Sequence, residues 1–83
     1  PATTEVVATD REVRRIVTEV TGSLPRDLRF VGTDNGLVAF LTLALTGDPS
    51  LTAAHEIGGM VRARLRRDRP ELADVFVHTE PAA

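Results

Sequence analysis

Apolar residues recur at Val13, Ile16, Val17 and Val20, the i, i+3, i+4, i+7 spacing that lines one face of a helix. Thr9 stands before this stripe and Glu12 three places after Thr9, which reads as a capping box at the helix start. Gly22 and Pro25 mark its end, because glycine tolerates the left-handed cap and proline cannot continue the hydrogen-bond ladder. Residues 1–8 then read as a flexible lead-in to a single domain over residues 9–83. Asp27 to Val31 is a short β-like run, and Asp34-Asn35-Gly36 is a tight-turn signal. The returning strand, Leu37 to Leu45, has Leu or Ala at every odd position and mixes Val38, Phe40, Thr42 and Ala44 at the even ones. One face of it is expected to be buried, with part of the other partly covered.

Ser50 is the expected N-cap of a second helix, with Leu51, Ala54, Ile57, Val61 and Leu65 as its apolar stripe and Pro70 beyond its end. Asp74 to Thr79 is a last strand, with Val75, Val77 and Thr79 on one face and Phe76 and His78 on the other. The element order is α-β-β-α-β. It predicts an α+β fold: an open two-layer sandwich of the ferredoxin-like or metallochaperone-like kind, two helices on one face of a three-stranded sheet.

Composition narrows the chemistry. The 83 residues include no Cys, which removes disulfides, thiolate metal sites and cysteine nucleophiles together. Ten basic against twelve acidic residues leave a net charge of −2, and there is no Trp or Tyr, so neither charge nor aromatic stacking favours nucleic acid. The apolar stretch at Leu37–Leu45 falls well short of the ~20 residues of a membrane span, and with no basic segment ahead of an apolar run no signal peptide is expected. Five arginines between Arg62 and Arg69 crowd the second helix's C-terminal half, with Arg62, Arg66 and Arg69 on one side as a conceivable phosphate face. A solvated helix end favoured by the dipole explains them more simply. Gly58-Gly59 follows no strand and is no phosphate loop, Ser23 and Ser50 lack a nucleophile-elbow context, and His55-Glu56 is not part of HExxH. No catalysis is expected.

The chain has two histidines, His55 and His78. If the second helix crosses back over the sheet, its start lies near the end of the third strand. His55 then comes close to His78 and Glu80, which share a strand face. Two imidazoles and a carboxylate suit Zn²⁺ or another borderline divalent ion. The same three side chains also fit a solvated edge, and spacing alone favours that plainer reading.

The stretch Ala53-Ala54-His55-Glu56-Ile57, followed by an arginine-rich helix end and then Val77-His78-Thr79-Glu80-Pro81, resembles the C-terminal cytosolic domain of the cation diffusion facilitator family. In that family an A-H-E-I-A-D helix start precedes a strand ending V-H-x-D/E-P. The resemblance runs from about Thr9 to Pro81. It implies a homodimeric domain on the cytosolic side of a transporter's membrane part, binding zinc, manganese or iron near the dimer interface and biasing the transporter. Carried over, His55, His78 and Glu80 are the metal ligands. Partners would be a second copy and the membrane transporter domain, or this chain is a stand-alone soluble relative; nucleic acid is not expected. Two departures stand out: relatives often carry another histidine near the place of Thr42, and Gly58-Gly59 replaces the Ala-Asp of the helix start. A metal-free dimerisation module is the alternative. A small-molecule sensor of the ACT type would need a strand before the first helix, and none is read here.

Overall fold

In the computed structural model, which describes residues 4–82, two helices cover one face of a three-stranded sheet. The elements are α1 (Thr4–Thr21), β1 (Asp27–Thr33), β2 (Gly36–Leu45), α2 (Leu51–Asp68) and β3 (Leu72–Pro81). The strand order is β1-β2-β3, with β1 antiparallel to β2 and β3 parallel to β2. A parallel pair needs a crossover, and α2 supplies it, running back over the sheet and packing on β3. The expected α+β sandwich and its element order are both present.

The core follows the two periodicities. Val13, Ile16 and Val17 of α1 and Val61 and Leu65 of α2 are fully buried against Ala39, Leu41, Leu43, Leu45 and Val75 of the sheet. The even positions of β2 lie on the other, helix-free face, where none is fully buried. Gly36 closes the β1–β2 turn at φ 122°, a conformation that suits glycine. Gly22 caps α1 at φ 82°, its N–H donating to the Thr18 carbonyl at 2.8 Å. Ser50 caps α2 as expected, its hydroxyl accepting from the Ala53 N–H at 3.1 Å.

Two expectations change. Helix α1 opens at Thr4, so residues 4–8 of the expected lead-in are helical, residues 1–3 of it lie outside the described residues, and Thr9 is an interior residue and no cap. Its buried hydroxyl donates instead to Glu71 Oε2 at 2.9 Å, a charged acceptor at the entrance to β3. Leu51 belongs to the α2 stripe by spacing yet is 87% exposed, and the buried positions of α2 are Gly58, Val61 and Leu65.

Candidate metal site

Alternation along β3 divides the nominated residues. Val77 and Thr79 point towards α2: a Cβ built on Gly58 would sit 3.6 Å from a methyl of each. Phe76, His78 and Glu80 therefore occupy the helix-free face. The β2–β3 register sets Phe76 beside Phe40, His78 beside Thr42 and Glu80 beside Ala44. Thr42 in turn pairs with Asp27, so Asp27, Thr42 and His78 form one row across the open face.

His78 and Glu80 are brought together. His78 Nε2 lies 3.6 Å from Glu80 Oε2, with the imidazole 71% exposed, so its ring nitrogens are open to solvent or to a neighbouring molecule. His55 is not with them. It sits on the exposed flank of α2, along a shallow groove lined by Gly58, Gly59, Arg62, Val77 and Thr79, on the helix-covered side. Among the described residues no three His, Asp or Glu side chains gather into a metal-sized cluster. One imidazole and one carboxylate have the donor chemistry a borderline divalent ion prefers, and they make half of a coordination sphere.

Sequence reading missed Arg26. Its guanidinium reaches across β2 and holds Glu80 through Oε1, while Nη2 donates to the Ala82 carbonyl at 3.2 Å. The Arg26 backbone N–H donates to the Thr42 carbonyl at 2.9 Å, fixing where the side chain starts. The available signal was topological: a residue just ahead of β1 and one at the end of β3 both flank the C-terminal end of the central strand.

The arginines of α2 are engaged with carboxylates of their own chain. Arg62 and Arg66 both bond Asp74, at 3.1 and 2.8 Å, and Arg62 Nε also donates to the Val75 carbonyl. Asp74 is held below the usual carboxylate range first by the Val75 N–H and then by Arg62. Arg64 bridges Glu19 and Asp68. Asp68 is pulled down to about 2 by hydrogen bonds from Arg67 and Arg64. Arg69 bonds Glu71. The conceivable phosphate face is thus spent on internal ion pairs.

The open face also carries apolar surface. Phe40 and Phe76 stack there, and Val31 and Phe76 are each about half exposed. A side of the sheet without helices, bearing aromatic and branched residues, is the kind of surface that a partner covers.

Comparison with known proteins agrees on the kind of domain. The chain matches the family described as the cytoplasmic domain of cation efflux proteins over residues 8–82. It is 36% identical over 56 residues to metal tolerance protein C1 of Arabidopsis thaliana, covering 65% of this chain and 12% of that protein's length. The metal-bound C-terminal domain of the CzcD transporter from Thermotoga maritima superposes with a TM-score of 0.86 at 17% identity, over 96% of this chain and 94% of that one. A doubly substituted MamM CTD gives 0.87 at 18% identity, over 95% and 96%. At these identities the two structures speak for the fold. No helix among the described residues is long and apolar enough to cross a membrane.

Proposed function

Because the chain belongs to the family of cytoplasmic domains of cation efflux proteins, we propose that it acts as a homodimeric regulatory domain of a cation diffusion facilitator, binding a divalent metal ion on the open face of its sheet. The observation that carries this reading is the placement of His78 and Glu80 together on the helix-free face, beside the stacked Phe40–Phe76 pair, of which Phe76 is half exposed. One surface then offers both an apolar contact for a second copy and donors for an ion. CzcD's domain in its metal-bound form has the same fold, which favours the reading further.

The roles follow from chemistry. His78 donates a neutral imidazole nitrogen and Glu80 its free oxygen, Oε2. Two donors do not close a tetrahedral site, so the others are water or groups of a second subunit. His55 lies on the helix-covered side of its own subunit and would contribute as a donor from a second copy. A bound divalent ion supplies a shared centre that donors of two copies complete together, so its site is complete only in the dimer. That linkage makes dimer geometry depend on ion concentration, and through it the attached membrane part. Zinc fits the mixed imidazole and carboxylate donors; manganese and iron accept the same set. The ion has a binding role here and no catalytic one.

The test is calorimetric titration of the domain with Zn²⁺ and with Mn²⁺, beside His78→Ala/Glu80→Gln and His55→Ala. Binding that disappears in the double variant and weakens in His55→Ala supports the site. Heat that survives the double variant moves the ion elsewhere. A dimer with no heat for either ion favours a metal-free dimerisation domain.

A further inference from the structure

Glu80 is shared between two kinds of partner. Its Oε2 faces His78, and its Oε1 is bound by Arg26. The guanidinium is well anchored at its far end: Pro25 restricts the chain just before it, and the Arg26 N–H is tied to Thr42. The second fork nitrogen is fixed on the Ala82 carbonyl, 3.2 Å away. Glu80 pairs in register with Ala44, whose single methyl leaves the space across β2 over which the side chain passes. A planar fork with two acceptors at the end of the sheet keeps its geometry better than a flexible ammonium would.

We propose that Arg26 is a tethered cation that competes with a divalent ion for Glu80, so that the domain's ion affinity is set by how readily this guanidinium is displaced. The proposal rests on the metal reading above. While Arg26 is in place, Glu80 offers an ion one oxygen instead of two. The ion also meets a fixed positive charge next to its site. Both effects lower affinity, and both vanish if the guanidinium swings into solvent, which its half-exposed position allows. The device sets a threshold: the domain responds to an ion only at concentrations high enough to win the carboxylate from a group of its own chain. Because the pair is solvent-accessible, the competition is screened by salt.

Zn²⁺ titrations of the wild-type domain, Arg26→Gln and Arg26→Lys near neutral pH, at low and high salt, test this. Removing the charge and the hydrogen bond is expected to tighten binding about tenfold at low salt, with a smaller gap at high salt. Arg26→Lys keeps the charge but cannot fork onto both acceptors, so its affinity should fall between the other two; it also serves if Arg26→Gln folds poorly, as judged by its thermal melt. Equal affinity in all three proteins, or weaker binding in Arg26→Gln, overturns the competition and leaves the metal site standing. No binding in any of the three overturns both the competition and the metal reading, since Glu80 freed of its arginine would then hold no ion.

Discussion

Phe40 and Phe76 stack across the β2–β3 pair, ring centroids 5.2 Å apart and planes 14° from parallel, on the face of the sheet that neither helix covers. A stacked pair left open to water is costly for an isolated domain and useful at an interface. Phe76→Asp should therefore weaken self-association strongly while leaving the thermal melt near that of the wild type, because Phe76 is half exposed and lies outside the buried core cluster. Sedimentation velocity read beside circular dichroism checks this; an unchanged dimer would move the interface to another surface.

Much of the fold was legible because the two periodicities of the chain are clean. The period-two pattern of Leu37–Leu45 and the helical stripe of Val13–Val17 assign buried faces that the structure keeps. The turn at Asp34–Gly36 and the Ser50 cap rest on local chemistry, and local chemistry reads directly. What failed was tertiary. Thr9 fits a capping box by spacing, but a buried hydroxyl gains more from the Glu71 carboxylate, a partner that spacing cannot reveal. The site was half legible: His78 and Glu80 share a face by alternation alone. Separating His55 from them required knowing which face of the sheet α2 covers, and Arg26 required the strand order.

The Thr9–Glu71 bond links the interior of α1 to the residue just before β3. Thr9→Val keeps the shape and removes the donor, leaving a part-buried carboxylate with one partner fewer. The expected loss is about 1 kcal/mol, or a drop of about 4–8 °C in melting temperature for a domain of this size. In an Arg69→Gln background the loss should be larger, since Arg69 is the other side chain bonding Glu71. Thermal melts of the single and double variants measure both.

The two adjacent glycines of α2 behave differently. Gly59 has open space where a Cβ would go, so Gly59→Ala should stabilise by about 0.5–1 kcal/mol through helix propensity alone. Gly58 is buried against Val77 and Thr79, and a methyl there would sit at ordinary contact distance, so Gly58→Ala should fold without penalty. Gly36→Ala should destabilise by more than about 1 kcal/mol: its φ is 122°, and an added Cβ would lie 2.9 Å from the Glu71 carbonyl oxygen. Denaturant melts of the three variants should fall in that order.

Acid should unfold the domain late. Asp68 is lowered from its ordinary 3.8 to about 2 by Arg67 and Arg64. A depressed carboxylate contributes stability above its unfolded value, and that contribution disappears as pH falls through the folded value. Glu19, held down first by Arg64, and Glu12, held down first by Arg15, shift in the same direction. Melting temperature is therefore expected to hold steady from neutrality to about pH 5 and then fall progressively towards pH 2. Asp68→Asn should flatten that fall. A melting temperature rising on acidification would mean that these ion pairs do not form.

Sedimentation of the domain with chelator and with Zn²⁺, in wild type and in His78→Ala, tests the central claim most directly. The account predicts a concentration-dependent dimer in chelator that zinc tightens in the wild type and fails to tighten in His78→Ala. A monomer at every concentration, with zinc or without it, would contradict the claim that the open face joins two copies around an ion.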